Sequence, residues 1–127
     1  MMVALNFSGR FCDAVASGAK RQSIRVDRHH RMIVGRPLQL YTGMRTKSVR
    51  KLTPTDPIIT ERVYCAVRKD YLTLGGPGYP KIDQDEFARL DGFKDYAEMV
   101  GWFQATYKLP TFIGHCIRWA WAKRQVA

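Results

Sequence analysis

Short alternating runs of apolar residues, cut off by glycine and proline, decide most about what this chain can become. Val3, Leu5 and Phe7 alternate with their neighbours, as do Ile117, Trp119 and Trp121, while Leu38, Leu40 and Thr42 share one face. A period of two puts every second side chain on one side of an extended backbone, so each run predicts a half-buried strand. The first strand is expected over residues 2–7, and others at Gln22 to Val26 and Pro37 to Thr42. Ile58 to Leu74, rich in β-branched and aromatic residues, is expected to form one or two more. The last strand, around Ile117–Trp121, is expected to pair near the first.

Helical spacing is confined to three stretches. Ser8 precedes Phe11, Ala14, Val15 and Gly18 at i, i+3, i+4, i+7 spacing, and Gly18 suits a left-handed stop. Asp83 with Glu86 has the form of a capping box, opening a short helix through Phe87 and Leu90 that Gly92 closes. Asp95 with Glu98 repeats the device ahead of Tyr96, Met99, Val100, Phe103 and Tyr107, and this helix must end before Pro110. Capping accounts for Asp83, Asp85 and Glu86 at least as well as a metal does. Between these elements lie a basic loop at Asp27–Gly35, a segment at Gly43–Pro57 that is either a strand entering a turn or a basic loop, and a loop at Gly75–Pro80. The last has no flanking Lys-Ser/Thr, so it is no phosphate cradle. Strands interrupted by short helices, without β-α-β repetition, predict an α+β fold around a small mixed barrel. At 127 residues, with 46% hydrophobic side chains, the chain is expected to be a single domain over 1–127 with one core.

The net charge of +10 is unevenly placed: residues 1–51 hold eleven Lys and Arg against Asp13 and Asp27, a net +9, and the remainder contributes +1. A positive field over half of a small domain suits a polyanion, because neutralising phosphates releases condensed counterions. No apolar run reaches bilayer length and no basic amphipathic helix is present, so no membrane partner is expected. The N-terminus lacks the pattern of a signal peptide. Cys12, Cys65 and Cys116 are widely spaced and odd in number, which predicts buried free thiols in a reducing, cytoplasmic setting rather than a disulfide framework or zinc site. No metal or cofactor is called for.

Three stretches in register resemble the ASCH domain, a branch of the PUA-like superfamily. Gly18-Ala19-Lys20-Arg21-Gln22-Ser23-Ile24-Arg25 is similar to the family's G-x-K-x-x-[ST]-x-R signature, and Val34 to Gly43 to its G-x-x-L-x-[LV] strand. Leu90-Asp91-Gly92-Phe93, followed by Tyr96 to Phe103, resembles its acidic-Gly-Phe element before a helix ending in an aromatic pair. Leu40–Lys47 looks like a phage or prophage subgroup of no settled function. The resemblance implies a PUA-like β-barrel with flanking helices and an RNA or nucleotide partner. Some small members hydrolyse the amide of N4-acetylcytidine nucleosides with a Lys, Thr and Glu trio, and the matching positions here are Lys20, Ser23 and Asp91. Ser for Thr keeps a hydroxyl, whereas Asp for Glu shortens the carboxylate arm by a methylene.

Two roles fit this spacing. Lys20 with a lowered pKa is a base for the Ser23 hydroxyl, which needs one to attack an amide. Alternatively Lys20, Arg21 and Arg25 stay charged and grip phosphate. Arg45, Lys47, Arg50 and Lys51, with Tyr41 beside them, form a basic strip suited to a backbone with a base stacked on the ring. A third reading is RNA cleavage by histidines, since His29 and His30 lie in the basic loop; adjacent residues of an extended loop point apart, however, and His115 is remote in sequence. Trp102, Phe103, Trp119 and Trp121 are read as core before they are read as stacking platforms. About a protein partner the sequence is silent.

Overall fold

The computed structural model describes residues 3–122, which form seven strands and three α-helices. In chain order these are β1 (Val3–Phe7), a 3-10 turn (Gly9–Phe11), α1 (Cys12–Ser17), β2 (Gln22–Arg25), β3 (Leu38–Thr42) and β4 (Arg50–Lys51). Then come β5 (Ile58–Val67), β6 (Leu72–Leu74), α2 (Gln84–Leu90), α3 (Tyr96–Tyr107) and β7 (Phe112–Ala120). The fold is mixed α+β. Among the described residues no helix is long and apolar enough to cross a membrane.

The strands form two sheets rather than a closed barrel. One has the order β1-β3-β4, with β1 and β3 parallel in the register Val3↔Leu38 to Phe7↔Thr42. The other has the order β2-β7-β5-β6 and is antiparallel throughout. The sheets meet at a bridge between Pro37 and Ile58, where Leu38 N–H donates to the Pro57 carbonyl and Ile59 N–H to that of Arg36. Closure stops there because β4 is only two residues long and the free edge of β1 meets a side chain instead of a strand: Arg25 Nη2 donates to the Asn6 carbonyl at 2.8 Å.

The final strand also departs from expectation. β7 lies in the middle of the second sheet, with Ile117 opposite Ser23 and Arg62; it is not paired with β1, although its Trp119 ring meets Phe7 edge-on at 6.0 Å. Alternation gives β7 two working faces. Trp119 faces the first sheet, while Phe112 faces α3 through Phe103 at 5.1 Å. Leu5, Leu38, Leu40, Ile59, Phe87, Met99 and Ile117 fill the core between. The three cysteines are free and buried there, and burial pushes the Cys116 thiol up to about 12, so it is inert as a nucleophile at neutral pH.

Capping follows the sequence closely. Asp83 accepts the Glu86 amide, Asp95 accepts the Glu98 amide, and Gly18 closes α1 at φ 82°. Ser8 differs: it makes no side-chain cap, and a 3-10 turn precedes α1. The segment 43–57 is a chain of turns around β4, fastened by Thr46 Oγ1 donating to the Gly43 carbonyl at 2.6 Å and by Ser48 N–H donating to Thr46 Oγ1.

Candidate functional site

Lys20 follows the left-handed stop of α1, and its amide bonds back to the Ala14 carbonyl at 2.9 Å. That return aims its side chain inward, where it is 3% exposed. Asp91 caps the C-terminus of α2, also 3% exposed, and its Oδ1 lies 3.0 Å from Lys20 Nζ. Lys20 Nζ donates as well to the Asp91 main-chain carbonyl and sits 4.9 Å from the Phe11 ring centre. Gly92 makes this approach possible. Its φ is 98°, and a Cβ there would meet the Phe11 ring at 3.1 Å and Lys20 Cδ at 3.4 Å.

An ion pair taken out of water favours its neutral form. Burial pushes the Lys20 ammonium below its ordinary value against the pull of Asp91. It likewise pushes the Asp91 carboxyl above its ordinary value against Lys20 and Gln22. Behind the pair runs a chain of polar contacts: Gln22 Nε2 donates to Asp91 Oδ1 at 3.2 Å, Arg118 Nε to Gln22 Oε1 at 3.2 Å, and Arg118 Nη1 to Glu61 Oε1 at 3.2 Å. Tyr79 closes it by donating to Glu61 Oε2 at 2.9 Å. Because Arg118 can only donate, it holds the Gln22 oxygen toward itself and turns the Gln22 amide NH2 toward Asp91.

Ser23, 6% exposed, stands beside this pair on β2. Arg25 Nε donates to its Oγ at 2.7 Å, and the same guanidinium lies 4.8 Å above the Phe7 ring. With its oxygen accepting from Arg25, the hydroxyl keeps its own proton to donate. Lys20, Ser23, Arg25 and Asp91 together line a cavity of about 200 Å³ whose other walls are Asn6, Phe7, Ser8, Phe11, Ile24, Trp102, Phe103, Thr106 and Tyr107. Trp102 meets Phe11 edge-on at 5.3 Å and Tyr107 at 6.0 Å. The result is a polar floor under aromatic walls, a shape that suits a planar ring with hydrogen-bonding edges.

Compared with known proteins, the chain matches no family model, no curated protein and no solved structure. The geometry of the site therefore carries the functional reading.

The other expected site residues divide. Arg21 turns away from the cavity; its Nε donates to the Gly18 carbonyl at 2.8 Å and its guanidinium lies 5.6 Å from the Trp121 ring. Lys51 pairs with Asp56 at 2.8 Å, and that hydrogen bond raises its pKa. Tyr41 lies opposite Lys51 on β3, its hydroxyl 3.4 Å from Gln39 Oε1. Arg45, Lys47 and Arg50 are exposed. Their loop is tied to the cavity, since the Met44 amide donates to Asn6 Oδ1 at 3.0 Å. His30 and His115 are close in space although remote in sequence: His30 Nδ1 lies 3.4 Å from Arg62 Nη2, and His115 faces Tyr64 across the sheet. Asp83 and Asp85 are occupied by helix amides, Asp85 accepting from Tyr96 N–H at 2.9 Å, and the described residues hold no metal-binding cluster.

Sequence reasoning missed Asn6, Phe11, Trp102 and Tyr107 as cavity walls, and Gln22 and Arg118 as supports of Asp91. The aromatic residues carry the same helical spacing as core residues, so nothing local separates them. Arg118 does leave a trace, as an arginine between Ile117 and Trp119 in the last strand.

Proposed function

We propose that this chain is a PUA-like module of the ASCH type that binds a nucleotide or RNA end. The base enters the cavity over Lys20, Ser23, Arg25 and Asp91, and the strip Arg45–Lys51 follows the backbone. The observation carrying this reading is the buried Lys20–Asp91 pair at the floor of an aromatic cavity. A desolvated ion pair is costly, and an arriving base edge that hydrogen-bonds to it offsets part of that cost. The tie from Asn6 to Met44 joins cavity and strip, so both can engage one ligand. Nucleoside monophosphates and single-stranded RNA titrated calorimetrically at two salt concentrations test it. RNA affinity is expected to fall with salt, with a log–log slope of about −0.7 per neutralised phosphate. Ser23→Ala should be tolerated and Arg25→Ala should weaken binding. A wild type that binds neither ligand overturns the proposal.

A second reading, an amidohydrolase acting on an N4-acylated cytidine, is favoured by one observation. Burial lowers the Lys20 pKa within the same cavity that holds the Ser23 hydroxyl. A neutral Lys20 would accept the proton of the attacking hydroxyl or water as the C–O bond forms, and return it to the departing amine. Chromatography of N4-acetylcytidine incubated with wild type, Lys20→Ala and Ser23→Ala decides this. Turnover by wild type alone establishes the enzyme, and no turnover by folded protein removes that substrate.

A further inference from the structure

The second sheet is covered unevenly. Near one end Ile59 and Trp119 are 1% and 2% exposed beneath the first sheet, but along the same strands Tyr64 is 39% exposed and Ile113 53%. Residues directly opposite each other on neighbouring strands share a face, and the registers Arg25↔His115 and Tyr64↔His115 place these three in one row across β2, β7 and β5. Strands lie about 4.8 Å apart, so the row spans about 10 Å, the length of roughly three stacked bases. It begins at the cavity, because Arg25 is one of the cavity's own walls.

The row is equipped for a nucleic acid strand. Tyr64 and His115 stand perpendicular, ring centres 6.5 Å apart, so a base stacked on one ring meets the edge of the other. At the far end Arg62 is held by Asp27 at 3.3 Å and lies beside His30. Asp27 is the only acid in the loop 27–36, which also carries Arg28, Arg31 and Arg36. Aromatic rings between cations complement a polyanion whose bases present flat faces.

We propose that the Arg25–His115–Tyr64 face is a second nucleotide subsite, over which a single-stranded RNA passes as it leaves the cavity. This rests on the nucleotide-binding reading in one respect, that the strand starts in the cavity. The face itself stands on the register and on exposure.

Affinities for cytidine monophosphate and for a five-nucleotide single-stranded RNA, measured on wild type, Tyr64→Ala, Tyr64→Phe and Lys20→Met, test it. Circular dichroism checks that each variant is folded. Tyr64→Ala should weaken the oligonucleotide about tenfold and leave the mononucleotide unchanged, while Tyr64→Phe keeps both. Lys20→Met should weaken both ligands. Oligonucleotide binding unaffected by Tyr64→Ala overturns the subsite, as does a wild type that binds no oligonucleotide. Oligonucleotide binding that depends on Tyr64 without any mononucleotide binding upholds the face and overturns the cavity reading instead. A Tyr64-dependent dimer, seen by light scattering without RNA, assigns the face to a second copy and also overturns the subsite.

Discussion

Lys20 and Asp91 cannot be considered apart. Each side chain is 4% exposed, so removing one charge strands the other in a medium that solvates it poorly. Lys20→Met is expected to lower stability by about 3–5 kcal/mol, whereas Lys20→Met with Asp91→Leu should recover much of the loss; urea denaturation of the single and double variants measures the difference. Asp27 makes the contrasting case of a carboxylate kept charged. Burial works against its charge, but the amides of Met32 and Arg31 and the Arg62 guanidinium outweigh burial and hold its pKa below the ordinary value. Its contribution is therefore present above about pH 4, its unfolded value, and lost as pH falls through the lower folded value. Stability of Asp27→Asn should be lower at neutral pH and change less on acidification, as denaturation at pH 7 and pH 3 will show. Burial shifts His115 down from its ordinary value, and Arg62 acts in the same direction against the opposing pull of Asp27. An NMR titration of the ring protons with a midpoint at or above 6.5 would contradict this placement.

At the scale of elements, two short helices set the site, and both depend on single positions. The Asp95 side chain accepts the Glu98 amide at 2.9 Å and starts α3, which carries Trp102, Phe103 and Tyr107 to the cavity. Asp95→Ala should cost about 0.5–2 kcal/mol in thermal denaturation. Gly92 combines a left-handed φ with close approach to Phe11 and Lys20. Gly92→Ala should cost about 1–2 kcal/mol from backbone strain alone. Because its Cβ would also displace the cavity wall, ligand affinity should fall in protein that remains folded. Unchanged affinity in Gly92→Ala would show that the wall tolerates movement. These caps were legible in the sequence, since a capping box is local and its residues lie within one turn. The two-residue β4 was legible only as one of two alternatives for the segment Gly43–Pro57, because Arg50 and Lys51 acquire strand geometry from Tyr41 and Thr42 beside them.

For the whole molecule, the uneven charge has a definite geometry. The net +9 of residues 1–51 is carried largely by the loop 27–36 and the turns 43–51, with the cavity mouth tied to the second at Asn6. Arg45, Lys47 and Arg50 remain exposed, while Lys51 is neutralised by Asp56. Replacing Arg45, Lys47 and Arg50 together by Gln should reduce the salt slope of RNA binding by about 2, at about 0.7 per lost phosphate contact, while Lys51→Gln should change it little. Measuring the slopes for the two variants separates free cations from paired ones.

What the sequence by itself determined is local: which runs alternate, where Asp83 and Asp95 cap helices, which loops are basic, and that Lys20, Ser23 and Arg25 stand within six residues of one another. Periodicity and capping act over a few residues, so they can be read without a fold. Tertiary structure decided whatever depends on distant segments meeting. It brought Asp91 to Lys20 across 71 positions and Arg118 to Gln22 across 96, set β7 between β2 and β5 instead of beside β1, and left two sheets where a barrel was expected. It also separated Arg21 from its neighbours in the motif: Arg21 stands before β2, where its guanidinium folds back onto the Gly18 carbonyl and the Trp121 ring instead of entering the cavity. Backbone pairing and burial are settled by competition among all strands at once, and no short stretch of sequence contains that outcome.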